Sequence, residues 1–375
     1  MRYVKVLAAA LMVLWGQGVH ASFPDTQPTD KNKNELFSYD RSSLPGGKHY
    51  IYKDELTVFS NAPDGYKLAG RGGYVCKSST DSKNGKCPDK LTWMGRPGSN
   101  TLITLRFTEE KSKSIRDINI WGYKKLVFPS FAPCGSVANG TFALNDGALI
   151  GCADTDIGSS GAMLTLWIDN DELSKLPFGG VWTATLVLDY YQWDPHQYKS
   201  TYTVNFKIDL TDKNNIQVWL PQFGKGTPLV DLNLRPVPGG GFKGKNTVDM
   251  CLYDGYGTNS RLFTMNFSST DKDSSDPDAF ILKDGNKTLS YNVDLSFQGG
   301  SSSSRVRNGA DWSINTHSLP VNWNRILPVS LPDISTPVLC WPTKLHLSAN
   351  VPSTTPAGNY SGTLKIVFTP DAGVP

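Results

Sequence analysis

The stretch PAGNYSGTLKIVFTP, residues 356–370, decides how the rest of the chain is read. Tyr360, Gly362, Leu364, Ile366 and Phe368 fall on one face, and Ser361, Thr363, Lys365 and Thr369 fall on the other. A period of two with polar alternates predicts a half-buried β-strand. No hairpin partner follows it, so the strand predicts a neighbour supplied from outside. The same alternation recurs upstream in NTLITLRFT, AMLTLWI, VWTATLVL, STYTVNFKIDL, IQVWL and LHLSANV. Short strands at roughly ten-residue spacing, with 35 glycines and 24 prolines, point to β-sandwiches and away from a parallel α/β sheet. Helical periodicity is confined to DNDELSKL at Asp169–Leu176, enough for a turn or two.

The chain has 375 residues, comfortable for two domains. Residues 1–21, MRYVKVLAAALMVLWGQGVHA, carry Arg2 and Lys5 ahead of an apolar run, and Val19-His20-Ala21 is a small-x-small cleavage site. They read as a secretory leader. No later run approaches the ~20 apolar residues of a membrane span. Without the leader the chain keeps 35 basic and 34 acidic residues, a net +1. That balance excludes bulk electrostatic binding to nucleic acid and insertion into a membrane. The segment after the leader, SFPDTQPTDKNKNELFSYDRSS, is polar and shows no alternation, so it predicts no strand to donate.

Domain one is expected over 22–212 and domain two over 213–375. The junction is LTDKNNIQVW, where a strand ends near Leu210, Thr211–Asn215 are polar, and the next strand opens at Ile216. Cys76, Cys87, Cys134, Cys152, Cys251 and Cys340 form an even set in an exported chain, which predicts disulfides. Proximity favours Cys76–Cys87 and Cys134–Cys152, leaving Cys251–Cys340, out of 15 combinatorial pairings. No paired-cysteine or HExxH spacing supports a metal, and no cofactor is expected.

Enzyme chemistry finds little support. Gly239–Asn246, GGGFKGKN, fits a phosphate loop until Asn246, where Ser or Thr would hold magnesium, and no helical pattern follows; a hairpin loop is the better reading. Asp154 and Asp156, near Ser159 and Ser160, lack the further ligands of a calcium loop. His49, His196, His317 and His346 are scattered. A glycan-active enzyme needs two carboxylates set across a cleft, and no motif singles out a pair among Asp154, Asp156, Asp189 and Asp194. The segment DYYQWDPHQYKSTY, Asp189–Tyr202, looks different. It places Tyr190, Tyr191, Trp193, Tyr198 and Tyr202 around an Asp194-Pro195 turn. Such a hairpin tip either stacks sugars on exposed rings or simply uses aromatics as strand residues, with alternate ones buried.

Several strings together resemble the class 5 fimbrial tip adhesins of enteric bacteria, including pilus biogenesis initiators of the cable-pilus type. They are ITLRFTEEKS, KLPFGGVW, LTDKNNIQVWLPQF, VDLNLRP, VDMCLYDGYGTNS, VNWNRI, PVLCWP and AGNYSGTLKIVFTP, spread from Ile103 to Thr369. The resemblance implies an all-β chain of two immunoglobulin-like sandwiches, an adhesin domain followed by an incomplete pilin domain. It also implies a periplasmic chaperone, an outer-membrane usher and a major pilin as partners, and a place at the fimbrial tip on the bacterial surface. The donor strand would enter a groove beside Tyr360, Leu364, Ile366 and Phe368. The host glycan or glycoprotein receptor would meet Arg71, which lies five residues before the first cysteine as in the family, together with Tyr191, Gln192 and Trp193. The family's arginine pair aligns near Gln192 and Trp193, so this site is less cationic and more aromatic than its relatives'. A non-adhesive initiator or tip cap is the alternative; a secreted glycan-active enzyme is a distant third.

Overall fold

The computed structural model describes residues 23–371 except 62–68, 153–154, 193–195, 225, 272–275, 298–302, 319–325 and 327. The expected leader lies outside the described residues, as do Asp154, Trp193 and Asp194. The described elements are almost all strands, joined by one α-helical turn, α1 (Asn170–Leu173), where Asp169–Leu176 predicts it, and two short 3-10 turns. No described helix is long and apolar enough to cross a membrane.

The first eight strands are β1 (Lys31–Asp40), β2 (Lys48–Phe59), β3 (Gly72–Cys76), β4 (Thr101–Glu109), β5 (Ile115–Val127), β6 (Gly161–Asp169), β7 (Gly180–Gln192) and β8 (Gln197–Thr211). They form one sheet in the order β1-β8-β7-β4-β5-β6-β2, with β3 added on β7. Period two explains the core: Ile103, Leu105 and Phe107 of β4, and Ile118 and Ile120 of β5, are fully buried while their neighbours face outward.

The polar segment after the leader departs from expectation. Its composition predicts no strand, yet β1 runs parallel to β8 over ten pairs, from Lys31↔Tyr202 to Asp40↔Thr211. Its more buried positions are Lys33, Glu35, Phe37 and Tyr39, so the alternation is present but half of those inward residues are charged. The charges are answered by β2, at the far end of the sheet path. Lys33 donates to the Ile51 carbonyl and pairs with Glu35 at 2.8 Å. His49 lies 3.3 Å from Glu35 and packs on Phe37 at 4.4 Å. Side chains of β1 and β2 thus join the two ends of the sheet, and the edge that β1 would offer to another chain is used at home.

The remaining strands are β9 (Gln217–Trp219), β10 (Arg235–Pro236), β11 (Phe242–Tyr253), β12 (Leu262–Ser269), β13 (Phe280–Asp284), β14 (Lys287–Phe297), β15 (Ser304–Arg305), β16 (Asp311–Asn315), β17 (Trp341–Val351) and β18 (Leu364–Pro370). One sheet runs β10-β11-β17-β14-β13, with β9 on β11 and β15 on β14; a smaller one runs β16-β12-β18. Phe263, Met265 and Phe267 of β12 pack between them with Val293, Leu295 and Trp341. Of the GGGFKGKN loop, only the first three glycines turn; Phe242 onward is already β11, with Lys243 and Lys245 exposed along the strand. The three disulfides are Cys76–Cys87, Cys134–Cys152 and Cys251–Cys340, with Cα atoms 5.3, 5.6 and 5.5 Å apart.

A 3-10 turn at Lys213–Asn215 links β8 to β9. Across this junction the core is continuous: Cys251, Tyr253, Leu331, Val338 and Cys340 share a buried cluster with Phe178 and Trp182. Polar contacts reinforce it. Arg41 pairs with Asp212 at 2.9 Å, Tyr256 donates to Asp209 at 3.2 Å, and Lys111 donates to the Thr258 carbonyl at 2.5 Å. Asp254, fully buried, accepts the N–H groups of Tyr256, Thr258 and Ser260 and shapes the loop that meets the first sheet. A Cβ at Gly179 would stand 2.0 Å from the Gly255 carbonyl oxygen, a contact no real side chain makes. Gly179→Ala is therefore expected to lose about 1–3 kcal/mol of stability by overpacking, read by urea unfolding. A variant as stable as wild type and unchanged in small-angle scattering would show that this contact is slack.

Candidate functional site

The antiparallel pairing of β3 with β7 assembles the candidate surface. Gly72 is opposite Gln192, Gly73 opposite Tyr191 and Tyr74 opposite Tyr190, so Arg71, Tyr191 and Gln192 converge at one end of the sheet. Trp193 follows Gln192 but lies outside the described residues. The two glycines of RGGYVC are needed for this approach. A Cβ at Gly72 would meet the Tyr190 hydroxyl at 1.8 Å, and one at Gly73 the Leu144 carbonyl at 2.6 Å.

The aromatic segment divides by strand parity. Tyr190 and Tyr202 are buried and pack on Tyr74 at 5.1 and 5.3 Å. Tyr191 stays half-exposed, stacked on His196 at 4.7 Å and edge-on to exposed Tyr198 at 5.8 Å. Both readings of the hairpin thus apply, to alternate residues. Beneath it, Asp189 accepts from Thr201 at 2.8 Å and pairs with Lys77 at 2.7 Å.

Two residues that sequence reasoning missed complete the surface. The Arg71 guanidinium sits 5.0 Å from the centre of the Trp93 ring, a cation–π contact, and Trp93 is 52% exposed. Trp93-Met94 lies in a loop without alternation, where two adjacent large apolar residues were the only signal. The other residue is Lys124, 1% exposed. Its ammonium donates to the carbonyls of Gly72 and Asp146. Asp146 in turn accepts the Met94 N–H at 3.2 Å and the Ala148 N–H at 2.9 Å. One buried cation therefore holds the backbone beside Arg71 and, through Asp146, the loop that carries Trp93. Burial pushes the Lys124 amine down to about 8, against the opposing pull of Asp146.

A second candidate lies at β18. It pairs with β12 from Phe263↔Pro370 to Ser269↔Leu364, and among the described residues no strand pairs its other edge. Just before it, Ser361 exchanges backbone hydrogen bonds with Lys283 of β13 at 2.9 and 3.0 Å, so the chain changes sheets between Ser361 and Leu364. Tyr360, Leu364, Ile366 and Phe368 face the core and remain only partly buried, as do Leu282, Trp312 and Ile314 nearby. Phe368 packs edge-on to Phe263 at 5.1 Å. The result is a sandwich whose lip is apolar and whose last strand keeps a free edge.

The chain matches both domains of the CfaE family of CFA/I fimbrial subunits, the first over residues 21–213 and the second over 216–372. It is 42% identical over 359 residues to the CFA/I fimbrial protein CfaE of Escherichia coli, covering 93% of each chain. The solved structure of CfaE, the adhesive subunit of CFA/I fimbria from enterotoxigenic Escherichia coli, superposes with a TM-score of 0.79 at 40% identity, over 92% of this chain and 94% of that one. A chaperone–tip adhesin complex of CFA/I fimbriae biogenesis gives a TM-score of 0.72 at 37% identity, over 93% of this chain and 98% of that one.

Lys124 has a pH signature. Its folded value, about 8, lies below the ordinary lysine value. Between the two, the unfolded chain binds the proton and the folded chain does not, so stability rises with pH across that window. Buried tyrosines such as Tyr74 and Tyr190, whose hydroxyls desolvation pushes up, act in the opposite sense above pH ~10. Comparison with Lys124→Met cancels them. Wild type is expected to gain stability relative to the variant from pH ~8 to ~10.4, by on the order of 3 kcal/mol. Parallel denaturant-derived stability curves over that range would rule out a charged Lys124 at neutral pH.

Proposed function

The chain belongs to the CfaE family of fimbrial subunits, and from that premise we propose that it is the minor subunit at the tip of a fimbria. In this reading it starts fibre assembly through the chaperone–usher pathway and holds the bacterium to host-cell glycoconjugates. The observation that carries the reading is the unfinished second sandwich, with β18 paired on one side only among the described residues. An edge of this kind has to be covered during export and again in the fibre. A periplasmic chaperone covers it first, and a strand from the major pilin replaces the chaperone at the outer-membrane usher. Four apolar side chains from a donor would contribute roughly 6–12 kcal/mol gross, comparable with the stability of a whole domain.

The tip position follows from β1. A subunit within a fibre gives a strand to its neighbour, and here Lys31–Asp40 is bound to β8 of its own sheet. The chain receives a strand and gives none. The relative solved alone is an adhesive subunit, and the function proposed for this chain is likewise binding without turnover.

Adhesion is assigned to the Arg71 end of the first sheet. Arg71 offers a guanidinium for a carboxylate or sugar hydroxyls, Trp93 and Tyr191 offer ring faces, and Gln192 and Trp193 extend the rim. With glutamine and tryptophan where relatives carry arginines, the receptor should be a less acidic glycan than theirs.

Two outcomes are expected. A peptide matching the major pilin's donor strand, added at a thousandfold its Kd, should raise the Tm by about 10 °C, from ~4 kcal/mol of linkage at ~2–4 °C per kcal/mol. An unchanged melt with the peptide demonstrably bound would sink the donor-strand reading. On a glycan array and on erythrocytes, folded Arg71→Ala should bind at least ~10-fold more weakly than wild type, the loss of one charge-assisted hydrogen bond; Trp93→Ala and Trp193→Ala should weaken it too. A well-folded wild type that initiates fibres and binds no cell would point instead to a non-adhesive tip cap.

A further inference from the structure

A second surface lies on the outward face of the first sheet, at the β2 end of the path, with β4, β5 and β6 between it and β7. Here four strands place large side chains in one cross-strand row. Leu102 of β4 is opposite Trp121 of β5, Trp121 is opposite Trp167 of β6, and Trp167 is opposite Tyr50 of β2. Leu102 and Tyr50 are 42% and 41% exposed. Trp167 packs against Tyr123 at 5.7 Å and Tyr50 at 6.5 Å, while its indole N–H donates to Asp169 at 3.1 Å.

Two cations crown this row. The Lys48 ammonium lies 4.2 Å from the centre of the Trp167 ring, and that of Lys53 lies 5.1 Å from Tyr50. Neither forms an ion pair with a carboxylate among the described residues. Simple strand parity would put Lys53 on the opposite face from Tyr50. A bulge changes that: β2 advances two residues, Tyr50 to Tyr52, while β6 advances one, Trp167 to Leu166. Ile51 and Tyr52 then both point inward, 1% and 4% exposed, and Lys53 returns to the outer face. A second irregularity follows at Asp54, a non-glycine residue at φ +49°. It is pinned by Lys125 at 2.8 Å and by Thr165 at 2.9 and 3.0 Å. The strand thus bears local backbone strain and gives up regular pairing, and in doing so sets two ammonium groups beside an exposed aromatic ring. Strain of this kind gathers at binding sites.

We propose that Lys48, Tyr50 and Lys53, backed by Trp167 and Trp121, bind a sugar that carries a carboxylate, at a site separate from the Arg71 edge. The pyranose C–H face lies on Tyr50 and the carboxylate sits between the two ammonium groups, which leave their aromatic rings to meet it. The charges call for an anion and the flat face calls for a ring-shaped ligand lying on it. The choice of a sugar among ring-shaped acids rests on the reading of the chain as an adhesin.

The test is saturation-transfer NMR on the full chain held with its donor peptide. The probes are the methyl glycosides of N-acetylneuraminic acid and glucuronic acid, with methyl galactoside as the neutral control. Wild type and Arg71→Ala should both transfer saturation to the acidic probes and not to the neutral one. The signal should fall at least ~5-fold in Lys48→Gln/Lys53→Gln and in Tyr50→Ala, and should weaken in high salt, as screened charge contacts do. No transfer to either acidic probe, equal transfer to galactoside, or a signal that Arg71→Ala abolishes and the β2 variants leave intact would each overturn the proposal. Erythrocyte adhesion read on the same samples separates the two failures. Adhesion without probe transfer removes only the second site. Probe transfer without adhesion to any cell leaves the site and removes the adhesin reading.

Discussion

Every backbone N–H and C=O along a sheet edge needs a partner, and the two halves of this chain meet that demand in opposite ways. In the first half β1 lies along β8, and its side chains reach the far end of the sheet through Lys33, Glu35 and His49. In the second half β18 has a described neighbour on one side only. The first arrangement frees the adhesin half from other subunits. The second makes the pilin half dependent on them. Tip position, chaperone dependence and polymerisation from one end all descend from that asymmetry.

The Arg71 surface depends on a charge that never meets solvent. A buried lysine is costly unless hydrogen-bonded. Lys124 is kept by two carbonyls from separate segments, so its loss would disturb both sides of the Arg71–Trp93 contact at once. The supporting residues are less conspicuous than the residues they support. The outer aromatic row relies on a different device, a bulged edge strand, and has in common with the first surface only the setting of cations over rings.

Much of the fold was legible because its strands alternate cleanly. β4, β8, β17 and β18 each show apolar residues at every second position, and those residues are the more buried ones. β1 escaped because two of its inward residues are charged, and the groups that answer them are on another strand. Lys124 escaped because it stands beside Lys125 in a strand whose pattern does predict an inward residue there; a lysine at that position reads as surface. Trp93 escaped because its partner is 22 positions away and joined to it only through folded loops. Resemblance to the fimbrial adhesins supplied what periodicity cannot, namely that a missing neighbour is part of the design.

The three disulfides also order events in time. Cys76–Cys87 and Cys134–Cys152 close loops of 11 and 18 residues, short enough to form while the chain is still entering an oxidising compartment. Cys251 and Cys340 are 89 residues apart and meet only where β11 is laid against the start of β17. Their bond cannot be made until most of the second sandwich has been threaded through the pore and brought into register. The third bridge is thus a covalent timestamp: a chain that carries it has completed the slowest long-range step of its folding, and a chain with two bridges and two thiols has not.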